Sequence, residues 1–219
     1  VKVLVYTYTT EYRHASIPSG IAAFRELGEQ HGFTVTATEN PALIRDLDRF
    51  GTVIFLSTSG DVLDPAGREA LLGYVEAGGG FLGVHSAACT EYGWPHYGDL
   101  LGARFAGHPD FQRAEIDVRS RSHPAMAHLP ERWVRDDEWY DFRSAPRPEV
   151  TILASVDERT YDGGGMGADH PVVWCREVGA GRSFYTALGH AAEAYADPDF
   201  RAHLLGALTW TSGSQPEGE

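Results

Sequence analysis

Histidine, glutamate and aromatic residues recur at a few places in this chain where acid–base chemistry could be done. The first is Gly78-Gly79-Gly80-Phe81-Leu82-Gly83-Val84-His85-Ser86-Ala87. It reads as a glycine turn, a short apolar strand, a polar residue at the strand's end, and small residues opening a helix. A strand-to-helix turn of this kind lifts one side chain above a sheet, as a nucleophile elbow does. Here the lifted residue is His85, so the chemistry to expect is proton transfer from a rigid, accessible imidazole. His190 also ends an apolar run, in Ser183-Phe184-Tyr185-Thr186-Ala187-Leu188-Gly189-His190, and His14 follows Tyr12-Arg13 in a polar loop. The acidic candidate lies in Asp136-Asp137-Glu138-Trp139-Tyr140-Asp141. Asp136 and Asp137 read as a solvated face. Glu138 differs, because Trp139 and Tyr140 are a sugar-contacting composition and can desolvate its carboxylate. His108, in Gly107-His108-Pro109, is a candidate to face the same pocket, whereas His123-Pro124 and His170-Pro171 read as strand or turn boundaries. His31, His96, His128 and His203 are expected on the surface or in packing.

The elements that must position these groups alternate. Val1–Thr7 is a β-branched strand, and Pro18 with Ser16 as a cap opens a helix carrying Ile21, Phe24 and Leu27. Gly32 ends that helix before a strand at Phe33–Thr38, and Pro41–Leu47 is a short helix. Thr52–Leu56 is an apolar strand, and Asp64-Pro65 caps a helix that delivers the chain to the glycines before His85. The pattern predicts an α/β fold with a doubly wound, mostly parallel sheet flanked by helices. Extra strands follow in the second half, at Phe111–Val118, Val150–Val156, Val172–Val178 and Ser183–Leu188, with a short helix at Trp94–Leu101 and a last helix capped by Asp197-Pro198. Ligands of such sheets bind beyond the carboxyl ends of the strands. Four strand ends therefore converge on one rim: Thr9–His14, Ser57–Asp61, His85-Ser86 and Gly189-His190. The loop from Asp162 to Gly167 reads as mobile and not phosphate-binding, since no helix follows it.

Composition narrows the function. At 219 residues the chain suits one domain, assigned to residues 1–212 with a polar tail at 213–219. A formal charge of −13 argues against nucleic acid and against an anionic membrane as partners. No apolar run is long enough to span a bilayer. The chain opens on Val3-Leu4-Val5 with no cationic signal segment ahead, and Cys89 and Cys175 make neither a metal spacing nor a disulfide framework. A cytoplasmic location is expected, although a start at Val1 leaves open an earlier removed leader. No His-x-x-x-His or Cys-x-x-Cys spacing nucleates a metal site, so no metal ligands are assigned, with a divalent ion left as an alternative. Glutamine amidotransfer is excluded because the elbow lacks a thiol, Cys89 lying a helical turn later. A flavin site of the flavodoxin type is disfavoured by Glu11 where a phosphate would need donors.

Taken in order, Tyr12-Arg13-His14, Gly79–Ser86, Gly107-His108-Pro109, His123-Pro124, Asp137–Tyr140, His170–Trp174 and Gly181–His190 resemble the ThuA-like (trehalose-utilisation) family from end to end. Tyr12 departs from the phenylalanine expected there. The resemblance implies a fold like class I glutamine amidotransferases, with the elbow cysteine replaced. It also implies a role in bacterial disaccharide catabolism, beside dehydrogenases that make 3-oxo-glycosides, and assembly into oligomers, for which the sequence shows no interface stripe. A 3-oxo group acidifies the C2 proton, so a base could remove it, expel the C1 substituent and let water add back. In that scheme His85 is the base, Glu138 the acid or orienting partner, and His190 with Arg13 or His14 the donors; Ser86, His108 and Tyr140 join Arg13 and His14 in binding the sugar. The alternatives are a non-catalytic sugar-binding module and a metal-assisted hydrolase using the same histidines.

Overall fold

The structure, a computed structural model, describes residues 1–146 and 148–213. The tail assigned from Gly213 thus lies, from 214 on, outside the described residues.

The first half is strand–helix alternation, as its patterning requires. β1 (Lys2–Tyr6), α1 (Ile17–His31), β2 (Thr34–Thr38), β3 (Thr52–Leu56), α2 (Pro65–Glu76) and β4 (Gly80–Val84) follow in order. β1 runs parallel to β2 and β3, and β3 parallel to β4. Every residue of β3 and β4 is buried, which is why both read as unbroken apolar runs. Asp64 caps α2 by accepting from the Gly67 N–H at 2.8 Å. Ser16, expected to cap α1, makes no capping bond, and residues 41–45 form a 3₁₀ turn in place of a helix.

Beyond β4 the chain makes a 3₁₀ turn at His85–Cys89, then α3 (Pro95–Leu101), β5 (Phe105–Gly107), β6 (Gln112–Val118), β7 (Arg132–Asp137) and β8 (Asp141–Phe142). β9 (Thr151–Val156), β10 (Pro171–Val178), β11 (Gly181–Thr186) and α4 (Pro198–Thr211) complete it. Among the described residues the main sheet has nine strands in the order β2-β1-β3-β4-β11-β10-β9-β6-β7, and β5 pairs with β8 apart from it. β11 adds parallel to β4, and β10, β9, β6 and β7 extend the sheet antiparallel. The mixed α/β sheet predicted from the sequence is present, with one strand of the main sheet missed. In β7 the outward positions are Arg132, Val134 and Asp136, and the buried ones are Trp133, Arg135 and Asp137. Two of its three inward residues are charged, so alternation by hydrophobicity conceals it.

The rim is held together by backbone. Thr9 bridges Ser59, and Gly60 bridges Thr90, so the loops after β1, β3 and the elbow are tied at the carboxyl end of the parallel strands. Among the described residues no helix is long and apolar enough to cross a membrane.

Candidate active site

His85 occupies the elbow with φ 52° and is fully buried. A left-handed backbone at a non-glycine residue is strained and persists only where its surroundings enforce it. Those surroundings are β4 before it and a bond from its Nδ1 to the Ala187 carbonyl at 2.7 Å. A carbonyl only accepts, so Nδ1 carries the proton and Nε2 presents its lone pair. Around that Nε2 lie the Tyr140 hydroxyl at 2.9 Å, His14 Nε2 at 3.1 Å, His190 Nδ1 at 3.3 Å and Glu138 Oε2 at 3.4 Å. Tyr140 also stacks on the His85 ring, at 4.3 Å between centroids.

His14, His190 and the Glu138–Tyr140 stretch come from three different segments. His14 lies in the loop after β1, buried, with Nδ1 3.2 Å from the Ser86 hydroxyl. Burial, with His85 and His190 alongside, pushes its pKa down to about 3, so its ring is neutral. His190 follows β11 through Gly189, whose φ of 104° turns the chain toward the pocket. A Cβ at Gly189 would stand 2.8 Å from the Tyr195 hydroxyl. Glu138 follows β7 and reaches His190 Nδ1 with Oε2 at 3.1 Å and His108 Nδ1 with Oε1 at 3.3 Å. Burial works against its charge, but the bond from His190 Nδ1, with the His85 ring alongside, outweighs it and holds the carboxyl well below its ordinary range. The bond to Glu138 in turn raises His190, against its partial burial. A cavity of about 390 Å³ opens beside these groups and includes His14, Ser86, His108, Glu138, Tyr140 and His190 in its wall.

Seven of the eight residues singled out from the sequence thus meet: His85, Glu138, His190, His14, Ser86, His108 and Tyr140. Arg13 does not join them. Its guanidinium is bonded to the Thr7 carbonyl at 2.7 Å and to Glu39 at 2.8 Å, buttressing the loop instead of lining the cavity. Asp137 is a second correction: it is not solvated but 1% exposed. Its Oδ1 accepts from the N–H groups of Glu138 at 3.0 Å and His190 at 3.1 Å, and its Oδ2 from Gly189 N–H at 3.0 Å and Arg135 Nε at 3.2 Å. It therefore sets two of the pocket's groups at once. His170, expected as a turn boundary, is fully buried and holds the Tyr140 carbonyl with Nε2 at 2.8 Å while its Nδ1 meets Glu158 at 2.8 Å. The glycine-rich loop is tied to the same place, Gly165 N–H to Asp141 and Met166 N–H to Glu158. Tyr12, from the Thr9–His14 strand end, is joined in an aromatic wall by Phe105 and Tyr92, which strand-end reasoning did not select.

The donor set suits a metal ion. Ligand atoms of His14, His85, Glu138 and His190 all lie within 4.8 Å of one another. Zinc–nitrogen bonds of about 2.0–2.1 Å at tetrahedral angles require ligand atoms about 3.3–3.4 Å apart. The pairs His14–His85, His85–His190, His85–Glu138 and His190–Glu138 are separated by 3.1, 3.3, 3.4 and 3.1 Å. The outer atoms are also engaged as metal sites need: His85 by a carbonyl, His14 by a hydroxyl and Glu138 by His108. Spacing along the chain gave no hint of this, because each ligand arrives on a separate loop.

A family model described as ThuA, trehalose utilisation, matches residues 2–211. The chain belongs to the ThuA family. Among solved structures, a protein described as ThuA-like from Bacteroides uniformis ATCC 8492 superposes with a TM-score of 0.83 at 26% identity, over 100% of this chain and 94% of that one. Another described as ThuA-like, from Parabacteroides merdae ATCC 43184, gives 0.82 at 21% identity over 100% and 92%. A beta-galactosidase from Bacillus circulans sp. alkalophilus shares the fold in one part of its length, at a TM-score of 0.67 and 17% identity, over 99% of this chain and 32% of that one. No curated protein matches the sequence. For a ThuA member the elbow position is thus a histidine inside a cluster of imidazoles and a carboxylate, not a nucleophile beside a base.

Proposed function

We propose that this ThuA-family protein is an enzyme acting on a glycoside in disaccharide catabolism, with a divalent ion of the zinc type held by His14, His85, Glu138 and His190. The observation that carries the reading is that four of the six ligand separations match tetrahedral spacing, with all four ligand atoms within 4.8 Å of one another. The sugar class is supported by the family's description as trehalose utilisation and by the aromatic wall of Tyr12, Tyr92 and Phe105 beside polar groups. When bound, such an ion polarises an oxygen of the substrate or acidifies a water. The chain's own groups then orient the sugar and handle protons. Tyr140, whose pKa burial raises well above the ordinary tyrosine value, stays protonated and donates. His108, at the half-exposed mouth, reaches Glu138 Oε1 with its Nδ1 at 3.3 Å.

The test is metal content by mass spectrometry, paired with NMR of 3-oxo-trehalose incubated with the protein. A stoichiometric divalent ion, lost on chelation together with turnover and restored on adding Zn²⁺, is the expected result. Absence of tight metal binding in the wild type, or binding unchanged in His14→Ala and His190→Ala, would sink the metal centre.

A second, metal-free reading is favoured by the unprotonated His85 Nε2, whose lone pair meets the Tyr140 hydroxyl at 2.9 Å. On a 3-oxo-glycoside His85 would take the C2 proton, and the C1–O bond would break with its electron pair leaving on the aglycone oxygen. That oxygen would receive a proton from the His190–Glu138 pair, and water would add across the new C1–C2 double bond. Turnover that survives chelation and disappears in His85→Ala would select this reading.

A further inference from the structure

The main sheet ends on β7, with no strand among the described residues beyond it. Hydrogen bonding fixes which of its backbone groups face out. The Val118 N–H donates to the Glu131 carbonyl at 2.9 Å, which sets the phase of the regular β6–β7 ladder. In that phase Trp133, Arg135 and Asp137 turn their N–H and C=O groups toward β6. The other side of β6 agrees. Asp157 N–H donates to the Glu115 carbonyl at 2.9 Å and Arg119 N–H to the Leu153 carbonyl at 2.8 Å, which leaves Gln112, Ala114, Ile116 and Val118 to β7. Arg132, Val134 and Asp136 therefore present their N–H and C=O groups at the edge. Such an edge templates pairing with another strand unless a proline, a bulge or an unmatched charge blunts it. β7 has no proline and no shift in its register with β6, and the side chains at these three positions are exposed, Val134 to 41%.

The residues of that edge select the partner. Its two charges are opposite in sign and stand symmetrically about Val134. In antiparallel pairing centred on Val134, Arg132 of one copy meets Asp136 of the other, and every outward N–H and C=O of the two strands is paired. On the same face Arg113 lies 3.6 Å from Asp136, and Asp117 lies 3.6 Å from Arg132. Each row across the joined strands then alternates in sign: Arg113, Asp136, the partner's Arg132, the partner's Asp117. Between the two rows the valines face each other. Opposite charges directly across a strand pair stabilise it, and like charges destabilise it. A shift of two residues either way sets Val134 against a charge and leaves the other charge without its mate. We propose that the protein forms a two-fold symmetric dimer through β7, joining two nine-stranded sheets into one.

Sedimentation equilibrium on the full chain, at concentrations up to about 1 mM, should show monomer passing to dimer. Cross-linking tests the register. Residues directly opposite in a hydrogen-bonded pair have Cα atoms about 5.5 Å apart, within reach of a disulfide. Val134→Cys should therefore link to its own mate when oxidised glutathione is added. Asp136→Cys should not, because the two copies of residue 136 are offset by four residues, about 14 Å along the strand. Val134→Pro takes no bond from the β6 ladder but removes both bonds at the centre of the interface, so it should weaken the dimer about 30-fold. If that variant fails to fold, the cysteine pair still decides. A wild type that stays monomeric throughout overturns the proposal and leaves the edge to a strand of some other protein. A dimer that forms without a Val134→Cys link, links equally at Asp136→Cys, or keeps its affinity in folded Val134→Pro places the interface elsewhere and overturns it too.

Discussion

Asp137→Asn should be among the most damaging isosteric changes in this protein. The carboxylate is buried and takes four bonds, two on each oxygen: Glu138 and His190 N–H on one, Gly189 N–H and Arg135 on the other. A carboxamide keeps one accepting oxygen and turns an NH₂ toward two donors, so two bonds are lost whichever way it flips. It also removes the charge facing a guanidinium that is 5% exposed. Breaking a buried pair by removing one partner costs about 3–5 kcal/mol, and the guanidinium is left with only Asp197, at 3.6 Å from Nη1. With a urea m-value of roughly 2–3 kcal/mol/M for a domain of this size, the midpoint should fall by about 1–2.5 M. Equilibrium urea unfolding followed by circular dichroism measures it directly. The backbone of Glu138 and His190 is set by the same residue, so metal affinity of the folded variant should drop about 10- to 100-fold, as for other outer-sphere partners of a metal site. A midpoint within about 0.3 M of wild type, with metal affinity unchanged, would refute the view that Asp137 organises the site.

His203 is fully buried, with Nδ1 on the Ala125 carbonyl and Nε2 unpartnered, and burial lowers its pKa to about 3. The unfolded chain binds that proton below about 6.5 and the folded one does not, so its contribution is complete above pH 6.5 and is lost as pH falls toward 3, at up to about 1.36 kcal/mol per pH unit; His203→Gln should flatten the acid limb of stability against pH, and an unchanged slope would contradict this. Gly80→Ala should destabilise by about 1–3 kcal/mol in thermal unfolding, because its Cβ would stand 2.5 Å from the Thr211 carbonyl and 2.6 Å from the Thr52 hydroxyl. Burial pushes the Cys89 and Cys175 thiols up to about 12, so neither should react with a disulfide reagent at pH 8 until the protein is unfolded, even though Cys89 lines the cavity; rapid labelling of native protein would be inconsistent with that environment.

Much of this was legible in the sequence. β3 and β4 are apolar on both faces because they are covered on both faces, and a run of apolar residues between glycines states that without any tertiary information. The elbow was readable too, since a short buried strand that ends in a polar residue and small neighbours leaves the chain little else to do. Knowing that ligands gather at the carboxyl ends of parallel strands then brought His14, His85 and His190 to one rim. Charges hid the rest. β7 places Arg135 and Asp137 inward, so the solvated run that composition suggests is a buried ion pair carrying the loop of His190. Arg13 shows the reverse, a cation next to a site histidine that the fold turns toward Glu39. The tetrahedral spacing of His14, His85, Glu138 and His190 was decided by tertiary structure alone. Residue types and strand ends are properties of local sequence, but the close register between side chains on four separate loops depends on how those loops pack together.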